Sequence, residues 1–255
     1  MGEDVTALLE TCVASRRGHT DVELELRLGT RTDSFQAGVP RYVFQQLERD
    51  FIQTPELIAD SGYTEVVDYF YTLSNGINVR TRVHYDSTRM QLSTEHVSKH
   101  VLHSFVAAVS GDPGDTCRVE VSQESVVDRP PQSTLINYVR IKQRRVFVDH
   151  RGDGGDAWRY ELSRTWSGIT RDAVEYNQRH SEPTYEVECE LVDTKGAYMG
   201  ERTDAQVSKS LHFKMLMLLG HDDVGTPLEI SHVKNNNGAR RGGEGGKRVR
   251  YHRQN

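Results

Sequence analysis

Charged and apolar side chains alternate strictly in several segments of this chain, and this pattern limits the possible folds more than any other property of the sequence. In YEVECEL (185–191), Glu186, Glu188 and Glu190 alternate with apolar residues. Successive side chains of a β-strand point to opposite faces of the sheet, so these three carboxylates would stand in one row. Like charges in a row repel one another, and the pattern therefore requires something that holds the row in place.

The same alternation recurs in four other segments, and the rows differ in sign. DVELELRLGT carries an acidic row against leucines, YVRIKQRRVF carries a basic row, and INVRTRVHY and WRYELSRTW carry basic and mixed rows. One such strand alone is typical of a solvated edge, but separate acidic and basic rows on several strands favour a shared interior. The charged members of these four rows are Glu23, Glu25, Arg27, Arg80, Arg82, Arg140, Lys142, Arg144, Arg159 and Glu161.

The order of the segments predicts a mainly β (α+β) fold. We expect a closed antiparallel β-barrel tunnel with a charged interior, flanked by a few helices, because closure removes the exposed edges of a sheet. Helical spacing predicts helices over 4–16, over RYVFQQLERDF after Pro40, and over AQVSKSLHFKMLMLLG up to Gly220. Asn75-Gly76 predicts the turn of a hairpin.

Charges buried in such a tunnel would be costly unless they were matched. Carboxylate oxygens suit a hard divalent metal ion, and rows of Arg and Lys suit a chain of phosphates, which Arg can bind in bidentate fashion. A metal and a polyphosphate in one cavity indicate phosphoryl transfer, with a carboxylate to orient or deprotonate water.

Composition limits the other possibilities. The 255 residues are 36% hydrophobic, and the net charge of −5 does not by itself indicate a nucleic-acid-binding protein. The three cysteines give no disulfide or zinc pattern, which favours an intracellular and not a secreted protein, and Cys189 should pack in the core. No apolar run is long enough to predict a membrane partner. Residues 234–255 predict a basic, Gly- and Arg-rich disordered tail, either simply solvated or used for RNA contact or nuclear targeting.

Taken in order, VELELRLG, YVRIKQR, WRYEL and YEVECEL resemble the strand motifs of the triphosphate tunnel metalloenzymes. They most resemble the metal-dependent RNA 5′-triphosphatases of fungal, protozoan and large-DNA-virus mRNA capping systems. The resemblance covers about residues 20–220 and implies a catalytic domain over 1–233. It further implies that Mg²⁺ or Mn²⁺ supports hydrolysis of the γ-phosphate of 5′-triphosphate RNA, the first step of capping, and is compatible with hydrolysis of free nucleoside triphosphates.

The resemblance also implies a role for each matching residue. Glu161 corresponds to an acidic partner, while Glu186 and Glu188 would hold water or basic neighbours. The carboxylate that activates water stays open between Glu188, Glu120 and Glu124. The implied metal ligands are Glu23, Glu25 and Glu190, and the implied tunnel cations are Arg80 or Arg82, Lys99, Arg140, Lys142, Arg144 and Arg159.

Position 27 distinguishes two branches of this superfamily. The adenylate-cyclase and thiamine-triphosphatase branch carries Glu-x-Glu-x-Lys, whereas this chain has Arg27, and its LRLG and FQAGVP segments look like the capping branch. A tunnel hydrolase of free nucleotide, tripolyphosphate or thiamine triphosphate remains an alternative. A non-enzymatic polyanion-binding barrel is a second, although its carboxylates would repel a polyanion.

The resemblance also indicates where the protein works and with what. Its substrate would be 5′-triphosphate RNA. No Lys-x-Asp-Gly motif of a nucleotidyl transferase is present, so we expect the RNA guanylyltransferase to be a separate chain. The protein would act in the nucleus of a eukaryote or in a viral factory.

Overall fold

A computed structural model describes residues 5–16, 21–31, 34–59, 62–86, 88–109, 116–149, 158–192, 203–220 and 228–232. These ranges contain four helices and eleven strands. The helices are α1 (Val5–Ala14), α2 (Arg41–Gln53), α3 (Arg171–His180) and α4 (Asp204–Leu218). The strands are β1 (Val22–Arg31), β2 (Phe35–Ala37), β3 (Leu57–Ala59), β4 (Thr64–Thr72), β5 (Asn78–Tyr85), β6 (Gln91–Val109), β7 (Thr116–Val126), β8 (Ile136–Asp149), β9 (Trp158–Gly168), β10 (Thr184–Leu191) and β11 (Leu228–His232).

Within the described ranges, eight of these strands form one closed ring. Their order is β10-β9-β8-β4-β5-β6-β7-β1, and β10 pairs back onto β1 to complete the barrel. Every pairing in the ring is antiparallel. The short strands β2, β3 and β11 add to the outside of β1, β8 and β6. The predicted mainly β, closed antiparallel barrel is therefore confirmed.

The apolar faces of the barrel strands point outward and form the core. Leu24 and Leu26 of β1 are fully buried in one cluster with Leu211 and Met215 of α4, and helices α1 and α2 contribute to the same cluster. Cys189 is also fully buried there, as predicted. No helix in the described ranges is both long and apolar enough to span a membrane.

The element predictions are correct where the alternation or helical spacing is strong. The hairpin turn lies between β4 and β5, and Gly76 has a positive φ of 83°, which glycine adopts without strain. Helix α3 was not predicted, because Val174 is its only described residue that is buried, so its apolar signal is weak. The short strands β2, β3 and β11 were also missed. The predicted tail, 234–255, lies outside the described residues.

Candidate active site

The charged rows converge on one cavity inside the barrel. It has a volume of about 40 Å³, and all thirteen described residues that line it are charged. This cavity is the tunnel interior, and its lining residues are Glu23, Glu25, Arg27, Arg80, Arg82, Lys99, Glu124, Arg140, Lys142, Arg159, Glu161, Glu188 and Glu190.

Three predicted site residues lie beside this lining instead of in it. Glu120 approaches Lys99, with 3.5 Å between carboxylate oxygen and ammonium nitrogen. Glu186 lies 3.1 Å from the ammonium of Lys142. Arg144 donates a hydrogen bond of 3.2 Å to Glu161. The other eleven predicted residues all line the cavity.

Strand register brings the three glutamates proposed as metal ligands together. Glu25 of β1 is directly opposite Glu190 of β10, and Glu190 is directly opposite Arg159 of β9. Glu23 lies two residues from Glu25 and therefore on the same face of β1. Closure of the barrel thus brings Glu23 and Glu25, near the beginning of the sequence, onto one wall with Glu190, near its end. These three residues form the acidic cluster.

Three cations hold this acidic cluster in the described structure: Arg27, at 2.8 Å from a carboxylate oxygen of Glu25, together with Lys99 and Arg159. The Nζ of Lys99 lies 3.3 Å from a carboxylate oxygen of Glu23 and 3.3 Å from one of Glu25, and Arg159 donates a hydrogen bond to Glu190. Burial, together with the nearby charges of Glu23 and Glu25, raises the pKa of Glu190 to about 7 in spite of Arg159. Burial by itself would raise the pKa of Glu25, but Arg27 and Lys99 lower that pKa to about 2. The glutamates of the acidic cluster are therefore held in place by the positive charges that face them.

The acidic cluster fits a hard divalent ion by its donor chemistry. Its ligands would all be carboxylate oxygens, as Mg²⁺ and Mn²⁺ prefer. The ammonium of Lys99, between Glu23 and Glu25, marks a position where a cation is held. As they stand, no three acidic, His or Cys side chains of the described residues are arranged to bind a metal. A metal would therefore take over part of the role of Lys99.

Lys142 occupies the centre of a second charge cluster. Its side chain is 3% exposed, and its Nζ lies 2.8 Å from Glu188, 3.1 Å from Glu186 and 3.5 Å from Glu161. Burial by itself would lower the pKa of Lys142, but Glu188 and Glu186 raise that pKa above its ordinary value. Arg27 supports the same cluster from β1, at 3.1 Å from Glu188.

Asp68 of β4 is a site residue that the sequence reasoning missed. It is fully buried, directly opposite Arg82 of β5 and Arg140 of β8, and it accepts hydrogen bonds of 2.8 Å from Arg82 and 2.7 Å from Arg140. Burial by itself would raise the pKa of Asp68, but the two guanidinium groups hold that pKa well below its usual range. A lone acidic residue within the otherwise apolar VVDYF segment was the available signal.

The structure also separates two carboxylates that the sequence left as alternatives. Glu124 lines the cavity and accepts a hydrogen bond of 2.8 Å from Arg80. Glu120, the direct cross-strand partner of Glu25, is not part of the lining and lies 3.5 Å from both Lys99 and Arg118.

Solved structures share this architecture. The S. pombe Pct1 RNA triphosphatase matches with a TM-score of 0.61 and 17% identity, over 88% of this chain and 95% of that one. The same enzyme in complex with the Spt5 CTD gives 0.60 and 17%, over 88% and 96%. The Mimivirus capping enzyme triphosphatase gives 0.55 and 12%, over 86% and 99%. No protein-family model and no curated protein sequence matches this chain. The chain therefore has the fold of these RNA triphosphatases, as its strand motifs predicted.

Proposed function

We propose that this protein is a metal-dependent RNA 5′-triphosphatase. It removes the γ-phosphate from the 5′-triphosphate end of RNA and leaves a diphosphate end, the first step of mRNA capping. One observation carries the proposal: an acidic cluster and a set of arginines and lysines line the same cavity of a closed barrel. Carboxylates repel a polyphosphate unless a cation stands between them, so this combination supports a metal-bound triphosphate.

The acidic cluster of Glu23, Glu25 and Glu190 would hold Mg²⁺ or Mn²⁺. When bound, such an ion supplies stabilisation of negative charge on the phosphoryl oxygens. Around it, Arg82, Arg140 and the other tunnel cations donate hydrogen bonds to phosphate oxygens and stabilise the charge that develops in the transition state.

Substrate binding requires an exchange of ion pairs. The cavity of about 40 Å³ has room for an ion or a water molecule but not for a triphosphate, because its cations already contact its carboxylates. A triphosphate would bind by replacing those carboxylates as partners of Arg80 and Lys99. Arg80 now binds Glu124, so this exchange would free the Glu124 carboxylate inside the cavity.

Glu124 is therefore the carboxylate that we favour for orienting the attacking water. Once Arg80 binds phosphate, Glu124 can accept a proton from that water. Glu188, by contrast, is held by both Lys142 and Arg27. Glu120 lies outside the cavity lining and stays a weaker candidate.

Phosphate release from RNA with a γ-labelled 5′-triphosphate tests the activity directly. With Mg²⁺ or Mn²⁺ the label should be released as inorganic phosphate and the RNA should keep a diphosphate end. Parallel reactions on nucleoside triphosphate, tripolyphosphate and thiamine triphosphate measure the preference for RNA. Tight binding of triphosphate RNA without release under any metal would replace the proposal with a polyanion-binding barrel.

Metal binding has a test that does not depend on turnover. A ligand that binds only the native state stabilises it, so Mn²⁺ should raise the thermal unfolding midpoint of the wild-type protein. The same addition should have little effect on Glu25→Ala, and it should act normally on Glu56→Ala, a variant of an exposed glutamate. An equal Mn²⁺ effect on all three proteins would contradict the proposed ligands.

The proposed activity also defines the next reaction. A diphosphate end is the acceptor for guanylylation, so an RNA guanylyltransferase must consume the product. One structural neighbour is the RNA triphosphatase domain of a trifunctional mimivirus mRNA capping enzyme, and another was solved in complex with the Spt5 CTD, which supports a role within a capping assembly. Such a role would place the protein in the nucleus or in a viral factory.

A further inference from the structure

A second cavity, of about 300 Å³, adjoins the tunnel interior and has a different character. The two cavities share Arg80 and Lys99. The second is otherwise lined by aromatic, apolar and amide side chains, among them Phe70 and Tyr138. Its volume is within the range of ligand-binding pockets, and its lining resembles them in combining apolar surface with a few polar groups.

Strand geometry puts the aromatic pair on the tunnel face of the barrel. Phe70 lies two residues from Asp68 on β4, and Tyr138 lies two residues from Arg140 on β8, so each shares a face with a tunnel residue. The two aromatic residues are direct cross-strand partners, and their rings stack with centroids 4.2 Å apart and planes 10° apart. The guanidinium of Arg140 lies 5.2 Å from the centroid of Phe70. The aromatic pair is therefore continuous with the cationic wall of the tunnel.

This pair is open to a ligand. Tyr138 is 40% exposed although it belongs to the inner face of a barrel strand. Next to the pair, Asn137 donates a hydrogen bond of 2.8 Å to Thr72, which in turn donates one of 2.8 Å to Asn78. Aromatic side chains of this kind bind unstacked bases of single-stranded nucleic acid, and amide groups can bond the base edges.

Arg80 provides the link between the two cavities. Its Nε is buried and has no hydrogen-bond partner in the described part of the chain, although its terminal nitrogen binds Glu124. A donor in this state, at the boundary of the two cavities, is available to a phosphate oxygen. A phosphate there would lie between the tunnel interior and the aromatic pair.

We infer that Phe70 and Tyr138 form the binding site for the nucleobase of the first nucleotide of the RNA. The triphosphate would enter the tunnel past Arg80 and Lys99, and the base would stay at the mouth, stacked on the exposed tyrosine. This inference rests on the proposed function, and it makes the aromatic pair a determinant of selectivity for nucleotides over inorganic tripolyphosphate.

The decisive comparison uses the wild-type protein and two short RNAs. Both carry a 5′-triphosphate, and they differ only in that the first nucleotide of one lacks its base. Loss of a stacked base should raise KM at least about fivefold. Equal KM values for the two RNAs would overturn the inference even if no variant could be purified.

Variants then assign the effect to the stack. Tyr138→Ala should raise KM for the intact RNA at least about fivefold more than it raises KM for tripolyphosphate. It should also remove the difference between the two RNAs, whereas Tyr138→Phe, which keeps the ring, should preserve it. Tyr176→Ala is the matched control, because Tyr176 is an exposed tyrosine stacked on His180 of α3, and it should leave all KM values unchanged.

The outcomes distinguish this inference from the proposed function. If the wild-type protein hydrolyses 5′-triphosphate RNA but Tyr138→Ala changes KM equally for RNA and tripolyphosphate, the base site is wrong and the triphosphatase activity stands. If the wild-type protein releases phosphate from none of the substrates, the proposed function is wrong and the base site falls with it.

Discussion

The two faces of the same barrel strands are held in place by different forces. On β1, Leu24 and Leu26 point outward into the hydrophobic core, whereas Glu23 and Glu25 point inward at Lys99. The outward face gains free energy simply by leaving water. The inward face loses hydration, and the ion pairs that replace it typically return little more than that loss. The outer face therefore explains the stability of the barrel, and the inner face needs a functional explanation.

The inner face is nevertheless tolerable because it is matched in detail. Each described carboxylate of the tunnel interior contacts at least one Arg or Lys, and Lys142 alone contacts three glutamates. Removal of a cation that several carboxylates share should therefore leave unpaired charge in the barrel.

The largest effect should come from a proposed metal ligand. Glu23→Ala should lower kcat/KM on triphosphate RNA by at least about 10³-fold, about 4 kcal/mol, because it removes a ligand of the charge-stabilising ion. Its urea unfolding midpoint should stay close to that of the wild-type protein. Glu56→Ala, at an exposed position, is the control for both measurements. Full activity of Glu23→Ala would contradict the proposed metal site.

Lys142→Met, although it lies on the inner face, should reduce both stability and activity. The variant keeps the length of the side chain but leaves Glu161, Glu186 and Glu188 without their shared cation. We expect a loss of about 3–4 kcal/mol in the free energy of unfolding, together with loss of activity. Urea denaturation measures the first. Lys209→Met, an exposed position on α4, should change stability little, and a fully stable Lys142→Met would mean that the three carboxylates do not repel one another.

The outer face should affect stability alone. Leu211 of α4 is fully buried against the barrel, and Leu211→Ala should cost about 3 kcal/mol through lost transfer free energy and the cavity left behind. Well below its unfolding temperature the variant should keep the kcat of the wild-type protein. Phe213→Ala is the matched control, because Phe213 lies on the same helix and is 44% exposed. A fall in kcat for Leu211→Ala would show that the two faces are coupled.

Asp68→Asn should give the smallest effect, and it tests a residue whose ion pairs within the described ranges are all with tunnel arginines. Without the carboxylate, Arg82 and Arg140 keep their charge but lose the partner that orients them. We expect kcat to fall about tenfold, about 1.4 kcal/mol, while KM does not rise. Steady-state kinetics on triphosphate RNA separates the two constants, with Asp172→Asn on α3 as control. A rise in KM at constant kcat would point to a binding role instead.

Much of the site could be predicted from local pattern. The strands that carry the acidic and basic rows were predicted with nearly the observed bounds, and eleven of the fourteen predicted site residues line the tunnel cavity. Their catalytic and metal-binding roles stay predictions. The reasoning missed Asp68, because a single acidic residue carries no periodic signal. It also missed α3, which has one described buried side chain, that of Val174, and a cap at Thr170.

Which side chains share a face follows directly from the amino-acid order, because alternation with a period of two is a local property of an extended backbone. It could not determine which rows meet, since that depends on pairings between strands far apart in the chain. Closure of β10 onto β1 put Glu190 opposite Glu25, and pairing of β4 with both β5 and β8 put Asp68 between two arginines. Register between distant strands is settled by the packing of the whole barrel. For that reason, the position of the acidic cluster, the cations and the aromatic pair along one tunnel becomes apparent only in the folded barrel.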